Sequence, residues 1–482
     1  MPKLARIVPN AHHQDAQGFG RTETWLWKMG ISSDPTGLRA RFQKGITWNI
    51  VGAVVNNGSN FLTNIAIANL LGREVFGEYG MVQSTLTTFV GIAQAAGGIT
   101  ATKYIAEFRS NDKDRAGRVL GLCGATTLAT GCVATVLIFL CAPWLANSTL
   151  KAAALQRPLQ IAAAVVLFTV VNAFQTGALA GLESYRQWAI ANSLQGPIQL
   201  AICVFATWRW GLGGAVAGLL AGSALRWLIL HVALMREAKK QGIFMSFSGF
   251  WQERAIFFKF ALPAALSGLS AAPAIWVGNT FLVRQGGGYS QLALFSAALN
   301  LKNVVIFLPV LLNNVGTSLL NNQRGQNNPL QYRRVFLTNL LLIGSAAITG
   351  AIFVGLFGPK LLRLYGKSFP EAQGILALLL CAAVIEAIAM ASYQVLQSEE
   401  KMWLSLLAVM LPRDIALVAL AYLLTPEYGA FGLGLAHLIA WLICSMVIFS
   451  AVFRIGLTPR TMPSPLYPSA QLSGVLEGDP EL

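Results

Sequence analysis

Charge is what this sequence has least of. Of its 482 residues only 11% are charged and 55% are hydrophobic, whereas an average soluble domain carries about 25% charged residues. That balance excludes a soluble globular chain and leaves a polytopic membrane protein. A net charge of +15 would point to nucleic acid in a soluble protein. Here basic loops on one side of a membrane account for it, and no nucleic-acid partner is expected. Paired cysteines are missing too. Cys123, Cys132, Cys141, Cys203, Cys381 and Cys444 all lie in or at the end of apolar segments, and none forms a CxxC pair. A metal site and a disulfide framework are therefore not expected, and small buried hydrophobes are. The N-terminal stretch has no apolar core, so it is not a secretory signal peptide, and the first transmembrane helix must direct insertion.

What is present is a series of apolar segments long enough to cross a bilayer, which takes about 20 helical residues. Twelve spans are expected, at about 46–70, 80–103, 119–141, 158–182, 189–208, 212–235, 258–283, 291–319, 335–357, 373–396, 403–424 and 430–453. The fold class is all-α, with two six-helix lobes, 43–235 and 258–453, around a central cavity. An N-terminal tail (1–42), an amphipathic linker (236–257) and a Pro-rich tail (454–482) complete the chain. The linker mixes Lys239, Lys240 and Arg254 with Phe244, Phe247, Phe250 and Trp251, the composition of a piece lying on the inner leaflet. Lys and Arg set the topology. With both termini on one side, 24 basic residues fall there and eight on the other, while Arg226, Lys302 and Arg413 fall inside spans. Both termini are expected to be cytoplasmic, in a multi-pass protein of the cell inner membrane.

The first two spans are not uniformly apolar. Asn49, Asn56, Asn60 and Asn64 fall within roughly 80° of one another at 100° per helical residue, and Gln83, Thr87, Gly91 and Gln94 share one face of the second span. An unpaired amide in hydrocarbon costs several kcal/mol, so these stripes face a partner helix or water. The pattern recurs in the second half, where Ser296, Asn300, Asn303 and Asn314 share a face.

The recurrence fits an internal repeat. Gly77-Glu-Tyr79-Gly80, with Arg73 before it, matches Gly287-Gly-Tyr289-Ser290, with Arg284 before it. Glu183-Ser-Tyr-Arg-Gln-Trp188 matches Glu399-Glu-Lys-Met-Trp403, and Gly211-Leu-Gly-Gly214 matches Tyr428-Gly429-Ala-Phe-Gly432. Odd spans pair with odd, so the two halves have the same orientation in the membrane.

The stretch Leu71-Gly-Arg-Glu-Val-Phe-Gly-Glu-Tyr-Gly80, followed by Gly97-Gly-Ile-Thr-Ala-Thr-Lys103-Tyr-Ile-Ala-Glu107, resembles the polysaccharide transport (Wzx-like) oligosaccharide-lipid flippases of the MOP superfamily. Gln175-Thr-Gly-Ala-Leu-Ala-Gly-Leu-Glu183 and Leu262-Pro263-Ala support the resemblance, which covers roughly residues 42–455. It implies two six-helix lobes around a central cavity, and transfer of a polyprenyl-diphosphate-linked glycan to the outer leaflet by alternating access. The product would feed O-antigen, capsule or exopolysaccharide assembly, with membrane lipid and a polysaccharide polymerase as partners.

Residue chemistry supplies a site for such a substrate. Asn and Gln offer one acceptor and two donors each without the cost of burying charge, which suits sugar hydroxyls. The substrate-binding candidates are Asn56, Asn60, Asn64, Gln83, Thr87, Gln94, Asn300 and Asn303. A diphosphate needs cations, and Arg73, Lys103, Arg284 and Lys302 are the candidates; Lys302 points about 120° away from Ser296, so a buried structural ion pair is the other reading of it. Arg413 and Asp414 sit mid-span after Pro412, and Glu386 sits mid-span in the antiparallel neighbour. Either they form an ion-pair cluster, or Glu386 or Asp414 binds H+ or Na+ to drive lobe rocking; Arg226 could point into the cavity. No cofactor beyond such an ion is expected. An enzyme is not expected either. No P-loop or GxGxxG is present, Asp112-x-Asp114 reads as a solvated charged loop, and the outer loops, about 16 residues or shorter, leave no room for the external loop of a polymerase or ligase. The competing readings are a cation-coupled multidrug or metabolite antiporter on the same scaffold, and a non-transporting enzyme or scaffold of envelope assembly.

Overall fold

The computed structural model describes residues 38–94, 97–247, 249–253, 271–325, 329–398 and 405–455. The chain divides into two units, Met1–Trp48 and Asn49–Leu482, and the packing below is that of the second. Most of the two expected tails, and the first part of the expected seventh span with Pro263, lie outside the described residues.

The described residues hold no strand. Their helices are α1 (Leu38–Leu71), α2 (Arg73–Ala93), α3 (Gly97–Phe108), α4 (Lys113–Trp144), α5 (Gln156–Gly181), α6 (Tyr185–Lys240), α7 (Ala271–Val283), α8 (Gly288–Gly325), α9 (Pro329–Arg363), α10 (Gln373–Ser398) and α11 (Leu411–Ile455). Seven helices among the described residues are long and apolar enough to cross a membrane. Two of these, α6 and α11, are pairs of helices joined across a kink.

Glycine makes those kinks. Gly211 has φ 57°, ψ −138° and Gly429 has φ 55°, ψ −132°, a region closed to residues with a Cβ. After the first kink the chain folds back on itself. Gly214, Gly218 and Gly222 lie against Ala206, Cys203 and Gln199 in turn, so the two arms of α6 are antiparallel. Side chains at these glycines would hold the backbones apart, and small residues at four-residue spacing are how membrane helices approach closely. The second half repeats the device, with Gly432 against the carbonyl of Leu424. The repeat read from the sequence thus has a conformational counterpart.

Several boundaries differ from expectation. α1 begins at Leu38 rather than near 46, because Arg39, Arg41 and Lys44 are good helix formers. The expected connection 71–80 shrinks to Gly72 (φ 76°), and α2 starts at Arg73. The second span breaks after Gln94, and α3 starts at Gly97. The Gly97–Gly98 pair lets the chain press against Thr127 and the carbonyl of Ala173, and glycine pairs are a usual cause of such breaks. The linker also differs. α6 continues to Lys240, and Ile243–Phe247 then runs extended along α4, where the Ser246 amide donates to the Gly117 carbonyl at 3.1 Å. Among the described residues beyond Lys240, Phe250–Glu253 is helical. Glu253, buried, pairs with Arg115 at 3.1 Å and Arg118 at 3.4 Å. Phe244, Phe247 and Trp251 remain exposed, as a face toward lipid would be. Asp112 caps α4 by accepting from the Arg115 amide at 2.9 Å.

A candidate polar cavity in the first half

The two halves meet through their first helices. Gly77 of α2 lies against the carbonyl of Tyr289, and Gly80 against Ser296 of α8. The Gly-Glu-Tyr-Gly stretch and its repeat partner are therefore in contact with each other. Around them, Arg73 Nη1 pairs with Glu371 at 2.6 Å and Arg73 Nε donates to the Ser290 carbonyl at 3.3 Å. Asn69 donates to the Leu364 carbonyl at 2.5 Å. The rings of Phe61, Phe76, Tyr365 and Phe369 form one aromatic cluster at centroid distances of 5.8–6.1 Å. Further along α2, Asn279 donates to Ser84, Trp276 to Thr85 (both 2.9 Å) and Thr88 to the Ala272 carbonyl at 3.2 Å. Among the described residues, the hydrogen bonds between halves fall at this end of the bundle and as far as mid-span.

The amides on the first two helices divide between two surroundings. Gln83 donates to the Tyr79 hydroxyl at 2.5 Å and Thr87 to the Gln83 carbonyl at 2.9 Å. Asn64 donates to the Asn60 carbonyl at 2.9 Å. Asn56 is half-buried, and its Oδ1 has no protein partner. Asn60 and Gln94, by contrast, line a cavity of about 330 Å³ that also takes Asn172, Gln195, Gln199 and Arg226 into its wall. Its described lining residues come from α1, α5, the two arms of α6 and the residue that caps α2. Asn300 and Asn303 belong elsewhere. Asn300 lies beside the Tyr365 hydroxyl, and Asn303 is exposed on α8.

The cavity wall is built by side chains holding one another. Arg226 Nη1 donates to Gln195 Oε1 at 2.9 Å and Nη2 to Asn192 Oδ1 at 3.1 Å. Gln199 Nε2 donates to the Gly218 carbonyl at 3.1 Å, and Asn172 Nδ2 to the Ser223 carbonyl at 3.0 Å. Arg226 Nε and Asn172 Oδ1 are buried without protein partners. Among the described residues that line the cavity there is no carboxylate, and Arg226 is the one cation. The sequence reading missed Asn172, Gln195 and Gln199. A signal for two of them was there, because Asn192, Gln195 and Gln199 are spaced three and four apart in the fifth span, which is one helical face. A larger groove, about 570 Å³, lies on α6 between Pro197 and Trp208 and is apolar; Phe205 and Trp208 are exposed there, which marks a lipid face.

The remaining charged candidates separate as well. Lys302, buried on α8, forms an ion pair with Glu386 of α10. Arg413 pairs with Asp414 at 2.6 Å and lies over the Trp441 ring, 4.9 Å from its centroid. Asp414 Oδ2 is buried without a hydrogen-bond partner. These residues belong to the second half. Lys103 lies over the Tyr104 ring at 5.1 Å, and Arg284 is exposed. Among the described residues no group of three or more His, Cys, Asp or Glu could hold a metal ion.

Comparison with known proteins adds a context. A family model described as "Polysaccharide biosynthesis protein" matches residues 42–320. The EPS I polysaccharide export inner membrane protein EpsE of Ralstonia nicotianae is 26% identical over 436 residues, covering 87% of this chain and 94% of that protein. Its counterpart from Ralstonia solanacearum is 24% identical over 440 residues, with the same coverage. Among solved structures, an inward-facing multidrug resistance MATE family transporter of the MOP superfamily matches with a TM-score of 0.70 at 18% identity, over 84% of this chain and 95% of that one. A MOP superfamily transporter from Pyrococcus furiosus matches with a TM-score of 0.67 at 19% identity, over 87% and 97%. The fold is thus similar to that of these transporters.

Proposed function

The chain belongs to the polysaccharide biosynthesis protein family, and from that membership we propose that it is a flippase of the cell inner membrane for a polyprenyl-diphosphate-linked oligosaccharide. The relatives from Ralstonia export a polysaccharide at the inner membrane by name, and the matching architecture is that of transporters. The observation that carries the reading is the cavity: among its described lining residues five amides, two hydroxyls and one guanidinium stand beside Val165, Ala173 and Leu219, with no carboxylate. Amides complement hydroxyls from both sides of the hydrogen bond. A site for lipophilic drug cations would need an acid, and the described lining has none.

With both termini cytoplasmic, as the basic loops require, the joined end of the two halves is extracytoplasmic. The substrate then enters from the cytoplasm, and release requires that end to part. Sugars cross through the polar interior while the lipid stays in the bilayer. Glu386 and Asp414 are the groups at which H+ or Na+ would couple to this motion. The exported unit feeds a polymerase outside.

Deleting the gene tests the reading. Lipid-linked glycan should accumulate at the inner leaflet and surface polysaccharide should be lost, and a plasmid-borne copy should restore both. Drug sensitivity with normal surface polysaccharide would favour the antiporter instead. Water access is tested separately, by thiol labelling of N60C, Q83C and N300C in a Cys-less background. Labelling of N60C is expected throughout, and loss of access at all three positions in every state would remove the hydrated path.

A further inference from the structure

We infer that the cavity of the first half is a subsite for one acidic sugar, with Arg226 reading the carboxylate and the surrounding amides reading ring hydroxyls. The inference rests on the flippase reading only for the ligand's being part of a glycan.

The chemistry starts from Arg226 itself. A guanidinium inside a membrane bundle ordinarily pairs with an acid or lines a polar path. Arg226 has two amide oxygens as partners, Gln195 Oε1 and Asn192 Oδ1, and is in no ion pair among the described residues. Neutral amides hold the group in place without neutralising it. The two bonds use one N–H of each terminal nitrogen and fix the plane of the fork, which leaves the second N–H of each terminal nitrogen. A fixed planar fork with donors to spare is the geometry that takes a carboxylate in two parallel hydrogen bonds.

The rest of the wall fits a sugar ring. Asn60, Gln94 and Asn172 line the same space beside the apolar side chains of Val165, Ala173 and Leu219. A cavity of about 330 Å³ lies at the small end of ligand sites, roughly 300–1,000 Å³, so it suits a monosaccharide unit rather than a whole repeat.

Two features favour a carboxylate over the carrier's diphosphate. The cavity's described lining residues offer one positive charge, which one carboxylate neutralises; a diphosphate would leave anionic charge buried without a partner. Arg226 also lies ten residues before Arg236, where the basic end of α6 begins, or roughly 15 Å along the helix. The diphosphate stays with its lipid near the membrane surface, and the sugars are what reach that depth.

The test uses the full chain purified in detergent and saturation-transfer NMR, which reads weak binding. The probes are methyl glucuronide and methyl glucoside, with pyrophosphate as competitor at matched ionic strength. The glucuronide should bind about tenfold or more tightly than the glucoside, in keeping with charge-assisted hydrogen bonds. Arg226→Gln should remove that difference. Because Arg226→Gln also frees Asn192 and Gln195 and could unfold the lobe, Gln94→Glu provides a second variant. It keeps Arg226 but sets a carboxylate in the same wall, and it should abolish glucuronide binding. Equal binding of the two glycosides, preference for pyrophosphate, no binding of either glycoside, or glucuronide binding retained in Gln94→Glu would each overturn the inference. The outcome is separable from the flippase reading: a chain that restores surface polysaccharide but ignores glucuronide sinks only the subsite. One that binds glucuronide, but whose deletion leaves lipid-linked glycan unchanged, sinks only the flippase.

Discussion

Among single residues, the difference between a polar group that holds the fold and one left for a ligand lies in its partners. Lys302 and Glu386 form an ion pair within one half, so Lys302 is tied to Glu386 in this conformation. Breaking a buried pair from one side leaves an uncompensated charge and costs about 3–5 kcal/mol. Lys302→Gln should therefore lower the thermal unfolding midpoint of the purified protein sharply, and Lys302→Met with Glu386→Met should recover most of the loss. If Glu386 carries the coupling ion, that double variant folds and inserts yet exports no glycan in a deletion strain; if the pair is structural only, export returns with the fold. The pairing itself could be anticipated only in part. Helical phase set Lys302 apart from the Ser296 face, but which acid would meet it depends on how α8 packs on α10, and no single span encodes that. The same limit applies to Arg226. Its depth in a span was plain from the sequence, whereas its amide partners come from the other arm of a kinked pair.

Helices and their junctions were more legible. Glycine at the middle of an apolar run, Gly-x-Gly-Gly or Tyr-Gly-x-x-Gly, marks where one span turns into the next, and both instances adopt nearly the same backbone angles. The break between α2 and α3 was not foreseen. Gly97 and Gly98 sit in a run whose hydropathy continues, and what the run does not show is that α4 packs on Gly97 and α5 on Gly98. A clear contrast follows. Gly211→Ala forces a Cβ onto φ 57° and should cost about 1–3 kcal/mol. Gly214→Ala should cost at least as much, because its methyl would run into the Ala206 carbonyl and part the arms. Gly213→Ala, at a residue with open space around it, is the matched control. Folded yield after detergent extraction should follow that order, and an unfolding midpoint for Gly214→Ala equal to that of Gly213→Ala would show that the close approach is dispensable.

At the level of the whole bundle, what matters is how firmly the two halves are held at their joined end. The contacts there differ in kind. The Arg73–Glu371 pair is partly exposed, with side-chain accessibilities of 21% and 63%, and an exposed pair contributes about 0–1 kcal/mol. The aromatic cluster of Phe61, Phe76, Tyr365 and Phe369 is the stronger element, since aromatic pairs add about 0.5–1.5 kcal/mol each beyond their burial. A closure built this way can be opened by a few kcal/mol of differential binding, as a transport cycle needs. The ion pair then acts as a bias on the equilibrium. Neutralising it with Arg73→Ala should change the populations no more than about fivefold, whereas Arg73→Glu sets two carboxylates together and should open this end further. Reversing both charges, Arg73→Glu with Glu371→Arg, should close it again. External labelling of Q83C in a Cys-less background reads the position of the equilibrium. It should rise in Arg73→Glu, return in the charge-reversed pair, and respond less to Arg73→Glu at high salt, where the Debye length shortens. If labelling is the same in all three, the closure rests on the aromatic and amide contacts alone, and Arg73 is free to meet substrate instead.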